Sequence, residues 1–242
     1  MEWTLTRRPH AIMLSFGDPA PFTGPVKDAG VPLLLQVTSM AEAEQAARLG
    51  ADIIIAQGSE AGGHGGGRAT LPFVPAVADL VAPVPVLAAG GIADGRGVAA
   101  ALALGAAGAL VGTRFEACPE ALLPAEVTKA LVDSRGEDTE RTRILDIARG
   151  SDWPAQYTAR VLRNAFLAEW RGREEELAAS AETRRAYTEA ARRHDLAAAS
   201  VWAGEDLDLI TSIEPATGLT EQLAADAAAA LARAAGHDPG RG

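Results

Sequence analysis

The first half of the chain alternates short apolar runs with longer stretches of helical pattern. Five apolar runs have the length and continuity expected of strands that are buried on both faces. They are Ala11–Phe16, Val31–Val37, Asp52–Gln57, Val84–Ala89 and Ala107–Thr113. Between them the pattern predicts four helices, at roughly Pro21–Ala29, Met40–Leu49, Pro72–Val81 and Gly95–Leu104. Strands and helices that alternate at this spacing predict parallel βαβ units with right-handed crossovers.

Helix boundaries are marked by residues that commonly cap helices. A glycine, at Gly30, Gly50 and Gly105, follows each of three predicted helices and supplies the left-handed cap that turns the chain into a strand. Ser39 and Glu42 have the spacing of a capping box at the start of the second helix. We therefore assign Ser39 a structural role.

Polar residues or glycine recur at the end of every predicted strand. These positions are Ser15–Gly17, Gln36, Gln57-Gly58, Gly90-Gly91 and Gly112-Thr113. In an α/β barrel all such ends converge on one face, where the active site lies. The pattern favours a barrel, and an open doubly wound sheet is the alternative.

The character of the sequence changes at about Pro119, after which it is charged, rich in alanine and helical in pattern. Helices are expected over Arg171–Ala191 and Thr220–Ala235, and residues 237–242 are expected to form a frayed end. The predicted organisation is a partial TIM barrel over residues 1–120, with a C-terminal helical extension over residues 121–242 that packs on it.

Composition limits the class of protein. The 242 residues are 48% hydrophobic and 22% charged, which is typical of a globular domain. A net charge of −10 argues against a broad nucleic-acid surface. Met1–His10 lacks the apolar segment of a signal peptide and no run reaches the length of a membrane span, so we expect a cytoplasmic protein without membrane contact. Cys118 is the sole cysteine, so an intrachain disulfide is excluded and a buried structural thiol is favoured.

The densest chemical signal is the stretch Gln57–Arg68, which holds six glycines and His64. Glycines permit positive φ and a close approach of backbone to a ligand, and we expect His64 on a loop at the active face. No metal site is expected, because the other histidines do not lie at ligand spacing. Glu60 fits either an acid–base role or a role in orienting the loop, and Arg68 is read as a solvated side chain.

Two further glycine turns, in Ala88–Gly95 and Val111–Phe115, end the last two predicted strands. Barrel enzymes frequently build a phosphate site from the loops after the last two strands, with backbone amides as donors. Together these turns predict a ligand with a phosphate monoester. The alternative is that Gly90-Gly91 only ends a strand and that Asp94 only caps a helix.

These motifs resemble those of the nitronate monooxygenases, formerly called 2-nitropropane dioxygenases, which are FMN-dependent (β/α)8 enzymes. The matching segments are Met13–Gly17, Ala56–His64, Pro85–Ile92, Gly112–Phe115 and Arg160–Phe166. The histidine motif combined with the two glycine turns is highly specific for this superfamily, and the resemblance covers nearly the whole chain.

The resemblance implies that His64 is the catalytic histidine and that FMN is the cofactor. The FMN contacts it implies are Gln57, Gly62, Gly63, Gly90, Gly91, Leu110, Val111, Gly112 and Thr113, with the phosphate near Gly91, Gly112 and Thr113. The substrates would be a small nitronate or nitroalkane and O2, and the products a carbonyl compound and nitrite. Flavin-dependent enoyl-[acyl carrier protein] reductases share several of these motifs, and they and a non-catalytic FMN-binding remnant are the alternatives.

The family carries three further strands before the one that matches Ala11–Phe16. At about 30 residues per βα unit they amount to roughly 90 residues. We therefore expect a (β/α)8 TIM-barrel type reduced to its last five βα units plus the helical tail, as a fragment, a misassigned start or a short form. Unpaired sheet edges favour self-association, so the chain is a candidate for forming a homo-oligomer.

Overall fold

A computed structural model of the chain describes residues 1–236. The expected frayed end at residues 237–242 lies outside the described part. The first half contains α1 (Glu2–Thr6), β1 (Ile12–Ser15), α2 (Ala20–Asp28), β2 (Leu33–Val37), α3 (Met40–Arg48), β3 (Ile53–Gln57), β4 (Gly63–Gly65), α4 (Thr70–Val81), β5 (Val86–Ala89), α5 (Gly95–Ala103) and β6 (Gly108–Leu110). The second half contains α6 (Thr113–Glu116), α7 (Ala125–Asp133), β7 (Thr139–Thr142), α8 (Ile144–Arg149), β8 (Thr158–Leu162), α9 (Ala165–Trp170), α10 (Glu174–Ala179), α11 (Ala181–Arg192) and α12 (Ala216–Ala234).

The chain divides into two compact units, which we call unit 1 and unit 2. Unit 1 consists of Met1–Ser59, Gly66–Leu110 and the described part of Leu223–Gly242. Unit 2 consists of Glu60–Gly65 and Val111–Gln222. The division into residues 1–120 and 121–242 stays a prediction.

Unit 1 is built on a five-stranded parallel sheet in the order β1-β2-β3-β5-β6. All five strands that the apolar runs predict are confirmed, with slightly shorter bounds. The spatial order follows the chain order, whereas a doubly wound sheet reverses direction at a switch point. The sheet is therefore of the barrel type, and the open doubly wound alternative is not favoured.

The core of unit 1 lies between the sheet and α4. Leu33 of β2 and Ile54 of β3 are fully buried, as are Phe73, Val74 and Val77 on one face of α4. Burying side chains of this size contributes roughly 1.5–3 kcal/mol each. The continuous apolar runs of the sequence are thus explained by strands that pack on both faces.

The helix ends of unit 1 follow the predicted capping residues. Gly30, Gly50 and Gly105 have φ values of 66°, 71° and 91°. The Ser39 side chain accepts a hydrogen bond from the backbone N–H of Glu42 at 3.2 Å. The Glu42 carboxylate accepts from the backbone N–H of the residue before Ser39, at 2.5 Å, so the reciprocal bond is displaced by one residue from the ideal capping box.

Unit 2 combines helices with a three-stranded antiparallel sheet in the order β4-β8-β7. Its core joins α8, β8, α9, α10 and α11. The buried members of this core are Ile144, Leu145, Ala148, Val161, Phe166, Leu167, Trp170, Leu177 and Tyr187. The short strand β4 pairs with β8, so the histidine segment is part of this sheet.

Four details of the sequence-based prediction need correction. The stretch carrying His64 is strand β4 rather than a loop, because it pairs with β8. The C-terminal region is not helical throughout, since it contains the antiparallel strands β7 and β8. The last strand of the parallel sheet ends at Leu110, short of Thr113, where α6 begins. The helix expected over residues 171–191 is two helices that meet at Ser180, whose hydroxyl caps α11.

Candidate active site around His64

The carboxyl ends of three neighbouring strands in unit 1 carry predicted cofactor contacts. Gln57 ends β3, Leu110 ends β6, and Gly90 and Gly91 directly follow β5. Gln57 is a register partner of Ala89, which is in turn a partner of Leu110, so these strand ends lie side by side. The parallel sheet therefore gathers these positions along the edge where barrel enzymes place their sites.

The turn after β5 requires glycine. Gly90 and Gly91 have φ values of 104° and 72°, in a region that L side chains rarely adopt. The Gly90 carbonyl accepts a hydrogen bond from the Thr70 hydroxyl at 3.1 Å, which fixes the turn. The Asp94 carboxylate then caps α5 by accepting two backbone N–H bonds, at 2.9 and 3.2 Å. Because Asp94 occupies the start of α5, a phosphate at this turn would depend on the backbone of Gly90-Gly91 for its donors.

His64 lies in β4, opposite Ala159 of β8, and its ring meets an acid from α8. The two carboxylate oxygens of Asp146 lie 3.0 and 2.9 Å from His64 Nε2. The side chains of His64 and Asp146 are only 13% and 7% exposed. Asp146 therefore holds Nε2 of the imidazole in a mostly buried position.

Arg149 and two tryptophans complete the surroundings of His64 within unit 2. Arg149 Nη2 lies 2.6 Å from Asp146 Oδ1, and the guanidinium lies over the ring of Trp202 at 5.1 Å. The ring centroid of Trp153 is 4.0 Å from that of His64, and that of Trp202 is 5.4 Å away. Two tryptophan rings thus pack against the histidine, while Nε2 meets a carboxylate whose charge Arg149 offsets.

Hydrogen bonds from other parts of unit 2 hold the segment before His64. The carbonyl of Glu60 accepts a hydrogen bond from the Glu205 backbone at 2.9 Å. The carbonyl of Ala61 accepts one from Arg141 at 3.4 Å. Burial, and then the charge of Arg160, lowers the pKa of Arg141 to about 10. Arg141 therefore keeps its positive charge at neutral pH while it holds this segment.

The glycines before His64 have two different structural reasons. A Cβ at Gly62 would lie 2.9 Å from backbone atoms of Ala203 and Gly204, so this position has no room for a side chain. Gly63 has a φ of 72° and a Cβ there would meet nothing within 4 Å. Gly62 is therefore required by close backbone packing, whereas Gly63 borders open space.

The predicted contacts Val111, Gly112 and Thr113 lie where the chain enters unit 2. A Cβ at Gly112 would also meet nothing within 4 Å. The Thr113 hydroxyl is buried and accepts a hydrogen bond from the Gly204 backbone at 3.0 Å. Thr113 therefore has a structural partner in addition to the ligand contact expected of it.

Two carboxyl groups in unit 2, the half-buried Glu116 and the buried Asp206, lie outside the predicted site. Burial, and then the negative charge of Asp206, raises the pKa of Glu116 to about 7. Burial also raises the pKa of Asp206 to about 6. Because these pKa values are raised in the folded protein, the free energy of unfolding is expected to depend on pH.

Sequence reasoning missed Asp146, Arg149 and Trp202 as neighbours of His64. Asp146 lies 82 positions from His64 in the chain, and no local spacing connects them. The pairing of β4 with β8 is what brings these side chains together, and it could not be read from periodicity because β4 has only three residues.

Comparison with known proteins agrees with the motifs. A sequence model of the nitronate monooxygenase family matches residues 1–226. The chain belongs to the nitronate monooxygenase family. The family resemblance predicted from the sequence is confirmed. A curated nitronate monooxygenase from Neurospora crassa is 35% identical over 213 residues, which cover 82% of this chain and 54% of that protein.

Two solved structures have a fold similar to that of this chain. FabK from Thermotoga maritima matches with a TM-score of 0.86 and 30% identity over 98% of this chain and 73% of the other. Nitroalkane oxidase from Streptomyces ansochromogenes matches with a TM-score of 0.79 and 31% identity over 97% and 68%. Curated relatives are matched over 32% to 54% of their own length, so this chain spans about half of such a relative or less.

The described part of the chain has neither a metal-binding cluster nor a membrane-spanning helix. Across residues 1–236, no cluster of three or more His, Cys, Asp or Glu side chains is arranged to hold a metal ion. In the same part of the chain no helix has the length and apolar character needed to cross a membrane. Cys118 is buried, as expected of a structural thiol.

Proposed function

We propose that this chain carries the cofactor site and the catalytic histidine of an FMN-dependent nitronate monooxygenase. The reaction is the oxidation of an alkyl nitronate, such as propionate 3-nitronate, by O2 to a carbonyl compound and nitrite. The observation that carries the proposal is the position of His64, which follows Gly62 and Gly63 and is held by a carboxylate and two tryptophans. The match of the family model to residues 1–226 supports it.

The residues present are compatible with FMN. The positive φ values at Gly90 and Gly91, and the open space beside Gly112, give backbone that a phosphate can approach without meeting a side chain. Gly63 offers the same open space beside His64. We assign the phosphate to Gly91, Gly112 and Thr113, as the family resemblance implies.

Gln57, Gly62, Leu110 and Val111 are proposed as further contacts to the flavin. Gln57 and Leu110 end neighbouring parallel strands of unit 1, which supports a shared role for them. Gly62 and Val111 lie in unit 2. Bound FMN would supply electron transfer to O2, which is chemistry that side chains do not provide.

His64 would carry the acid–base part of the reaction. A nitronate already has the character of a carbanion, so the imidazole only needs to bind and orient its nitro oxygens. A neutral nitroalkane must first lose its α-proton, and the imidazole is placed to accept it. Trp153 and Trp202 pack against His64 and limit the access of water to it.

The direct test is to measure O2 consumption and nitrite release with propionate 3-nitronate. We expect both to depend on the nitronate and on flavin content. O2 consumption without nitrite release, or neither with the flavin-loaded protein, would overturn the proposal.

A second candidate is an NAD(P)H oxidoreductase that resembles the flavin-dependent enoyl-[acyl carrier protein] reductases. It is favoured by the structural match to FabK, whose TM-score exceeds that of nitroalkane oxidase. Rapid NAD(P)H oxidation without a nitronate, together with no O2 consumption when a nitronate is added, would select the reductase. A non-catalytic remnant would show neither activity.

A further inference from the structure

We propose that Asp146 is a positioning residue that fixes the tautomer of His64. In this arrangement Nε2 carries the hydrogen and faces Asp146, so Nδ1 is the nitrogen that accepts a proton from substrate. The tautomer stands on the contacts alone. The proton-accepting role of Nδ1 rests on the proposed function.

The contact between Asp146 and His64 uses both carboxylate oxygens and is buried. Both carboxylate oxygens of Asp146 lie within 3.0 Å of the same nitrogen, His64 Nε2. A carboxylate has only acceptor atoms, whereas a neutral imidazole donates from one nitrogen and accepts at the other. Only the tautomer with hydrogen on Nε2 makes this contact favourable while the ring is neutral.

Arg149 offsets the charge of the buried Asp146 carboxylate. A buried charge without a partner is costly, and Arg149 Nη2 lies 2.6 Å from Asp146 Oδ1. Arg149 also packs over the ring of Trp202, which limits its own freedom. The three side chains therefore form a chain of contacts from Arg149 through Asp146 to His64.

The tryptophans keep the imidazole from turning over. Trp153 lies against the ring at a centroid distance of 4.0 Å and a tilt of 33°, and Trp202 approaches it at 5.4 Å. A flip of the ring would exchange Nε2 for a carbon at Asp146 and lose the bond to the carboxylate. Packing and hydrogen bonding thus select the same ring orientation.

This geometry predicts different consequences for two substrates. With a neutral nitroalkane the α C–H bond breaks, its electron pair delocalises into the nitro group, and the proton passes to His64 Nδ1. The imidazolium charge is then offset by Asp146. A nitronate has no such proton to lose, so its oxidation does not need this transfer.

The tautomer can be measured directly by nitrogen NMR of the purified chain labelled at its four histidines. The signal of His64 is assigned by its loss in His64→Asn. We expect hydrogen on Nε2 in the wild type. In Asp146→Asn the amide can donate to Nε2, so we expect the hydrogen to move to Nδ1. Asp152→Asn makes the same chemical change at an exposed acid nearby and should leave the tautomer unchanged.

Two results of this experiment would overturn the proposal. One is hydrogen on Nδ1 in the wild type, which remains decisive even if Asp146→Asn does not fold. The other is an unchanged tautomer in a folded Asp146→Asn variant. Neither result depends on turnover, so they are separable from a failure of the proposed function.

Turnover by flavin-loaded protein tests the role of Nδ1. Loss of a positioned base typically costs about 10²–10⁴-fold, and we expect Asp146→Asn to lose nitroalkane turnover on the order of 100-fold or more. Its nitronate turnover should stay close to that of Asp152→Asn. An equal loss with both substrates would contradict the role of Nδ1. A wild type that oxidises neither would instead refute the proposed function and leave the tautomer result standing.

Discussion

His64 is the residue whose replacement separates cofactor binding from chemistry. It contacts Asp146, Trp153 and Trp202, all within unit 2. We expect His64→Asn to lower oxidation of a neutral nitroalkane by about 10²–10⁴-fold, the usual contribution of a positioned acid–base group. Flavin content should stay equal to that of the wild type. Loss of flavin, with activity restored by added FMN, would make His64 a cofactor-site residue instead.

Glu116 gives a prediction for stability against pH. Its pKa is raised from 4.5 to about 7, first by burial and then by Asp206. The folded state therefore binds more protons than the unfolded state between these values, so the free energy of unfolding falls as the pH rises from 4.5 to about 7.

Glu116→Gln should flatten this dependence, because an amide does not titrate. The variant should gain thermal stability relative to the wild type at pH 8, and the gain should shrink towards pH 4. Each 1 kcal/mol corresponds to about 2–4 °C in Tm for a chain of this size. Glu120→Gln, at an exposed acid nearby, is the matched control. A difference between wild type and Glu116→Gln that does not change with pH would contradict the burial account.

At this scale the sequence predicts the histidine but not its neighbours. His64 is conspicuous because glycines surround it, and these have physical reasons in the structure at Gly62 and Gly63. Asp146 has no local signal, because its partner is 82 positions away and meets it only through the pairing of β4 with β8.

At the scale of elements, α5 and α12 approach closely through a glycine. A Cβ at Gly95 would lie 2.4 Å from the Cβ of Asp226 and 2.5 Å from the backbone of Ala227. We expect Gly95→Ala to lower the free energy of unfolding by about 1–3 kcal/mol, the usual cost of overpacking. Thermal or urea unfolding measures this change.

The control is Gly218→Ala in α12, where a Cβ would meet nothing within 4 Å. Alanine is a better helix former than glycine, so this variant should be neutral or gain up to about 1 kcal/mol. Equal effects of the two substitutions would show that the close approach of α5 and α12 is not what Gly95 supports.

The parallel sheet was predictable because strands buried on both faces leave continuous apolar runs in the sequence. Strands β7 and β8 were not, because their charged and polar residues resemble the surrounding helical sequence. In the structure, Arg141 and Arg160 of these strands face each other in register, and Arg160 pairs with Glu205 at 2.7 Å. These charges serve tertiary contacts, which a local pattern does not reveal.

At the scale of the whole molecule, the exposed edge of the parallel sheet predicts self-association. Among the described strands, β1 pairs only with β2, and its Met13 is 39% exposed. An unpaired edge strand with an exposed apolar side chain is a site for pairing with another chain. We expect the purified chain to exceed its monomer mass of 24.9 kDa in light scattering at moderate concentration.

Met13→Lys should shift that distribution towards monomer, because a charge on an edge strand opposes pairing. Leu122→Lys is the matched control, because Leu122 is 90% exposed and does not belong to any strand. An equal shift with both variants would point to general solubility rather than to edge pairing.

The family could be predicted because motifs at successive strand ends occur in the family order, and the family model matches residues 1–226. The two-unit division could not, since Glu60–Gly65 groups with residues as far along the chain as Gln222. Such long-range grouping depends on packing that no local pattern encodes.

The visible absorption spectrum of the purified chain tests the central claim most directly. The family, the glycine turns and the position of His64 together lead us to propose a flavin enzyme. We predict a yellow protein with the two visible bands of oxidised flavin, released as FMN on denaturation. A colourless protein that also fails to bind added FMN would contradict the account.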